Sequence, residues 1–137
     1  MTWGELRADG EADVVEPPLA AALFDAAEEA ALAYLQDQGL RLLQRNYRTP
    51  GRGGGEIDLI MQSPDGTVVF VEVRKRASRA YGGAAASVGA VKQRRIIFAA
   101  RQYVMRWRRL PPARFDVVVV EAEGLQWLQA AFDGGGV

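Results

Sequence analysis

Asp58 and Glu72 are the residues from which chemistry can be read. Each is an acid inside an otherwise apolar run, Glu56-Ile57-Asp58-Leu59-Ile60 and Val68-Val69-Phe70-Val71-Glu72-Val73-Arg74. Between the runs lies Ser63-Pro64-Asp65-Gly66-Thr67. Pro64 presets φ for a type I turn, and Gly66 can take the left-handed position that closes a three-residue hairpin with a bulge. With Ser63 opposite Thr67, counting back sets Asp58 directly across from Glu72, their Cβ atoms about 5 Å apart on one sheet face. Like charges opposed this way repel, so the pair needs a cation or another reason to persist. Two or three carboxylates converging on one face can hold one or two divalent ions. Such an ion lowers the pKa of water and neutralises charge on a phosphate under in-line attack. Ion pairing to Arg74 and Lys92 is the structural alternative.

Three more residues belong to this constellation. Glu28 sits on the flank of a helix expected over residues 19–38 and is read either as a boundary residue or as a third ligand or base. Arg74, two residues past Glu72 on the same strand face, can stabilise developing negative charge. Lys92, near the buried stripe of a second helix, either snorkels from the core edge or points at the active face.

Composition narrows the chemistry. The chain has 137 residues, no cysteine and no histidine. Ser-His triads, thiol nucleophiles and the usual zinc sites are therefore excluded. Any metal must be a hard one held by oxygen, Mg²⁺ or Mn²⁺. No apolar run approaches the roughly 20 residues of a membrane span, and neither a signal peptide nor disulfides are expected, which fits the cytoplasm.

The formal net charge of zero conceals a division. Residues 1–30 carry eight acids against Arg7 alone, while residues 73–115 carry twelve Lys and Arg and no acid. A one-sign stretch of that length suits a polyanion, with an Arg-rich solvated helix face as the plain alternative. The cations placed to meet a nucleic-acid backbone are Arg48, Arg52, Arg76, Arg79, Lys92, Arg94 and Arg95.

The elements that must position these groups follow from periodicity. Residues 1–18 read as an acidic mobile arm, 19–133 as a single domain and 134–137 as a glycine tail. After the first helix, which Gly39 stops, residues 40–46 suit an edge strand. Residues 47–54 form a cationic, glycine-rich loop that matches no P-loop spacing. The hairpin follows, then a loop through Tyr81-Gly82-Gly83. A second helix runs over 87–107, capped by Ser87, its buried stripe being Gly89, Ile96, Ala100, Tyr103 and Trp107. Residues 114–120 form a central strand, 125–128 a last short strand and 129–133 a final turn. The order αβββαβ with a small addition gives an α/β fold, a mixed sheet flanked by helices.

The motifs also carry a resemblance. Glu28, Ala31 and Tyr34-Leu35 before Gly39, Asn46-Tyr47-Arg48, the two strands of the hairpin, Tyr81-Gly82-Gly83-Ala84-Ala85-Ala86-Ser87-Val88, Lys92-Gln93 and Arg114-Phe115-Asp116-Val117-Val118 resemble the YraN family over residues 20–133. That resemblance implies a restriction-endonuclease-like core similar to archaeal Holliday-junction resolvases. It implies a site built from a helix Glu, a strand Asp and a Glu-x-Lys, which fall on Glu28, Asp58, Glu72 and position 74. Position 74 departs from the pattern, because Arg74 stands where those nucleases have Lys. Arginine binds phosphate but does not readily deprotonate, which leaves Lys92 to supply an amine. The expectation is a Mg²⁺- or Mn²⁺-dependent endonuclease on DNA, branched or structured DNA included, with a homodimer by analogy. The alternatives are a nucleic-acid-binding accessory protein on the same scaffold and a protein-interaction module using the acidic arm.

Overall fold

The structure, a computed structural model, describes residues 25–51, 54–76 and 88–135. Its elements are α1 (Ala26–Asp37), β1 (Arg41–Arg48), β2 (Glu56–Gln62), β3 (Val68–Arg76), α2 (Ala90–Val104), β4 (Ala113–Glu121) and β5 (Gly124–Phe132). The strands form one sheet in the order β1-β2-β3-β4-β5, antiparallel except where β3 lies beside β4. This is the expected αβββαβ order with one strand added at the end.

Alternation along the strands makes two cores. Ile60, Phe70, Phe115, Val117 and Val119 pack under α2 with Ile96, Ala99, Ala100 and Tyr103. Leu59, Met61, Val69, Val71 and Val118 pack under α1 with Ala31, Leu32 and Leu35. Val71 and Glu72, adjacent in β3, therefore belong to opposite faces.

Both helices have legible ends. The Asp25 carboxylate accepts from Glu28 N–H at 2.9 Å, capping α1. At the other end Gly39 takes φ +99°, with Gly39 N–H bonded to Gln36 C=O and Leu40 N–H to Leu35 C=O. That pair of bonds is a Schellman motif, and it explains why the chain stops at this glycine. The part of the expected helix before Asp25 lies outside the described residues, as does the expected cap Ser87. Gly89 occupies the cap position of α2 and makes no side-chain bond there.

Four expectations are corrected. Gly89 is exposed, not part of the buried stripe, which is Ile96, Ala99, Ala100, Tyr103 and Val104. Helix α2 ends at Val104, and Met105, Arg106 and Trp107 tighten to i→i−3 bonds, with Trp107 packed edge-on to Tyr103. Residues 129–133 are mostly strand, because β5 runs unbroken to Phe132. Ala130 takes φ +51° within it, and its N–H is held by Asp116 Oδ1 at 2.9 Å, so a bulge replaces the turn. The edge strand β1 likewise runs two residues further than expected, through Tyr47 and Arg48. No helix among the described residues is long and apolar enough to cross a membrane.

Candidate active site

The hairpin closes as its turn residues require. Ser63 N–H donates to Thr67 C=O at 2.9 Å, Thr67 N–H donates to Asp65 Oδ1 at 3.0 Å, and Gly66 has φ +94°. Four rungs follow, from Gln62↔Val68 to Leu59↔Val71. The next rung in this register is Asp58 with Glu72, but the ladder stops before it. Alternate rungs exchange hydrogen bonds, and Ser63 with Thr67 is a bonded one. Val73 N–H should therefore meet the Ile57 carbonyl. It donates instead to Asp58 Oδ2 at 2.7 Å. β2 leaves β3 at this point while remaining paired to β1 as far as Arg48↔Glu56. The Asp58 carboxylate sits in the fork.

Its electrostatics are those of an acid held against its preference. The Asp58 carboxyl is pushed up to about 8, first by burial and then by the charge of Glu72. The Val73 N–H works in the opposite direction, while Glu28 and a hydrogen bond shared with Glu72 raise it further. Glu72 is 6% exposed, and its Oε2 lies 2.8 Å from Lys92 Nζ and 3.7 Å from Arg74 Nε. Lys92 thus points at the active face, half-exposed beyond its contact.

A cleft of about 750 Å³ opens over the pair, with Arg48, Thr49, Glu56, Asp58, Glu72, Lys92 and Arg95 among its lining. Two backbone features shape it. Thr49 closes the neighbouring loop, its N–H bonded to Gly55 C=O and its Oγ1 accepting from Gly55 N–H at 2.9 Å. Gly55 in turn packs on α2 so closely that a Cβ there would lie 2.2 Å from the Arg95 carbonyl oxygen. Only glycine lets the loop and α2 meet at this distance.

Glu28 reaches the site by its field. Its pKa lies above the ordinary carboxylate range, first through burial and then through Asp25, with Glu56 adding and the Asn46 amide and Arg45 opposing. Glu28 Oε1 and Asn46 Nδ2 are both buried, and neither completes a hydrogen bond of good geometry. Asn46 has φ +49° and stands in β1 between the rungs Arg45↔Leu59 and Tyr47↔Ile57, hence opposite Asp58. Its backbone is left-handed, which asparagine tolerates, and in the sequence it stands out only through the Asn46-Tyr47-Arg48 motif. Asp58 and Glu72 meet directly, whereas no three acids among the described residues are grouped closely enough to chelate an ion as they stand.

The expected nucleic-acid contacts divide. Lys92, Arg95 and Arg48 line the cleft, with Arg48 also paired to Glu56 at 3.5 Å. Arg94 is exposed on α2 but outside the cleft lining. Arg76 turns inward to an ion pair with the buried Glu121, opposite it on β4, so it is a structural cation away from the cleft. Arg74 stays beside Glu72 but does not line the cleft. Arg52 and Arg79 lie outside the described residues.

The sequence model of the uncharacterised protein family UPF0102, which is the YraN family, matches residues 27–120. A UPF0102 protein of Albidiferax ferrireducens is 72% identical over 109 residues, covering 80% of this chain and 85% of the relative. One from Paracidovorax citrulli is 70% identical over 110 residues, covering 80% and 82%. A UPF0102 protein of Methylibium petroleiphilum is 57% identical over 115 residues, covering 82% and 94%.

Proposed function

The chain belongs to the uncharacterised protein family UPF0102, and from that premise we propose that it is a divalent-metal-dependent endonuclease acting on the phosphodiester backbone of DNA. The observation that carries this reading is the Asp58–Glu72 pair at the fork of β2 and β3, on the floor of a cleft with cationic walls. A carboxyl pushed up to about 8 by burial and then by a neighbouring acid is a group that a cation would return to its charged form.

The donors that fit Mg²⁺ or Mn²⁺ are the hard oxygens of Asp58 and Glu72, with Glu28 acting on the pair through its charge. When bound, the ion supplies charge neutralisation at the phosphate and a more acidic water. The chain's own residues do the rest. Lys92 holds Glu72 in place and presents an amine to the cleft. Arg48 and Arg95 hold backbone phosphates on either side.

A second reading is favoured by Arg74. With arginine in the position that resembles the nuclease lysine, the same scaffold can bind nucleic acid without turning it over. One assay separates the two readings: single-stranded, duplex and branched DNA incubated with Mg²⁺ or Mn²⁺, beside Asp58→Ala and Glu72→Ala. Cleavage lost in both variants supports the endonuclease. Salt-dependent binding without cleavage moves the reading to the accessory protein, with Arg74→Lys expected to raise activity. Cleavage retained in both variants overturns the catalytic assignment.

A further inference from the structure

Helix α2 buries Ile96, Ala100 and Tyr103 against the sheet and carries a second apolar line on the side away from it. Val91, Phe98 and Met105 are 55%, 43% and 71% exposed. Their seven-residue spacing places them in a single row that drifts only about 20° per step. Arg94, Arg95, Arg101 and Gln102 occupy the i±3 and i±4 positions beside that row, and all four are exposed. Among the described residues none of these three arginines is in an ion pair.

A solvated helix face is polar; this one alternates large apolar groups with charge of a single sign. Its occupant must therefore be both apolar and acidic. A second copy of α2 does not qualify, because residues 73–115 hold no acid and the two helices would oppose arginine to arginine. Nucleic acid would satisfy the arginines but leave Phe98 and Met105 uncovered. The chain itself contains a match. Residues 1–16 carry Glu5, Asp9, Glu11, Asp13 and Glu16 against Arg7, together with Trp3, Leu6, Val14 and Val15.

We propose that residues 1–16 dock on α2, their apolar side chains on the Val91, Phe98 and Met105 row and their acids against Arg94, Arg95 and Arg101. Residues 1–24 lie outside the described part and join it at Asp25, on the other side of the sheet. Fully extended they reach about 80 Å, against about 20 Å between the layers they must pass, a helix with its side chains being ~10 Å across. Val91 and Arg95 also wall the cleft, so the docked segment borders the site.

Because the chain has no cysteine, one engineered thiol, Ala8→Cys, carries a nitroxide spin label at a single place. Amide signals of residues 91–105 should weaken severalfold at low salt relative to the reduced label. They should recover at about 1 M salt, where the screening length is ~3 Å, and in the Arg94→Glu, Arg101→Glu double variant. Thermal unfolding confirms that this exposed pair of changes leaves the fold intact. Signals on α2 that never weaken, or that weaken equally in the double variant, overturn the proposal. Equal weakening on isotope-enriched chains that carry no nitroxide, when spin-labelled chains are added to them, assigns the contact to a neighbouring molecule and overturns docking within the chain. None of these outcomes depends on nuclease activity or on DNA.

Discussion

Asp58 and Asp116 are both buried aspartates in strands of one sheet, yet their surroundings are opposite. Asp116 stands level with Val71 in the parallel register, one rung from Glu72 and on the other face. It is 0% exposed and accepts from Arg114 Nε at 3.0 and 3.2 Å, Trp127 Nε1 at 2.9 Å and Ala130 N–H at 2.9 Å. Every lone pair it must satisfy has a donor from the protein. Asp58 has one backbone donor and an acid for its neighbour. The first carboxylate is finished by the fold, which uses it to pin the β5 bulge. The second is finished only by something from outside, and it alone opens into a cleft. Burial of an acid is thus no mark of function; burial without compensating donors is.

That contrast is broken most directly at Asp116. Asp116→Ala leaves the half-buried Trp127 N–H, the Ala130 N–H and the partly exposed Arg114 guanidinium without their buried acceptor. Losing these bonds together costs about 2–4 kcal/mol, at about 1 kcal/mol for each bond. The urea midpoint should fall accordingly, while the variant that remains folded keeps its Mn²⁺ affinity. A loss below about 1 kcal/mol would show that the network is not structural.

Asp58→Asn should move stability in the other direction. The folded pKa of Asp58 is raised from 3.8 to about 8. Between those values the folded chain holds a proton that the unfolded chain has lost. Its contribution is fully present below about pH 4 and disappears as pH rises through 8. In chelator the wild-type chain should therefore lose stability between pH 5 and pH 9. Asp58→Asn should resist that loss and be more stable at pH 9 by roughly 1–3 kcal/mol, a figure kept below the full shift because the pair is coupled. Asparagine can still accept from Val73 N–H and donate to Glu72. Urea unfolding at the two pH values, with Mn²⁺ binding measured alongside, decides it. A variant less stable than wild type at pH 9 removes the claim that Asp58 is held against its preference.

The difference in surroundings also explains what could be read beforehand. The Asp58–Glu72 register was legible because the turn chemistry fixes Ser63 against Thr67 and the side-chain period is two. The Schellman stop at Gly39 was legible for the same local reason. Asp116 presents the same anomaly, an acid in an apolar strand, but beyond Arg114 its donors lie 11 and 14 residues on in β5. Nothing local announces them, and in the sequence the bulge they hold reads as a turn. Arg76 shows the reverse error. The sequence places it in a loop among the cations that meet nucleic acid, while its partner Glu121 is set by the β3–β4 register 45 residues away. Asn46, a motif residue with no assigned task, owes its place opposite Asp58 to the pairing of β1 with β2.

The smallest expected effect tests whether the cleft, and not the basic stretch at large, is where nucleic acid lies. Arg94 and Arg95 are adjacent and exposed on α2, but only Arg95 lines the cleft. Both also flank the apolar row, so any competition from the acidic segment weighs on them alike. If phosphates are held in the cleft, Arg95→Ala lowers the slope of log K against log salt by about 1, one released counterion. Arg94→Ala should leave the slope near that of the wild type. Binding titrations with duplex DNA at several salt concentrations measure both slopes. Equal losses from the two substitutions would mean that α2 meets nucleic acid as a charged rod. The carboxylate pair would then lie beside the bound strand and not beneath it, and catalysis at Asp58 would lose its geometric basis.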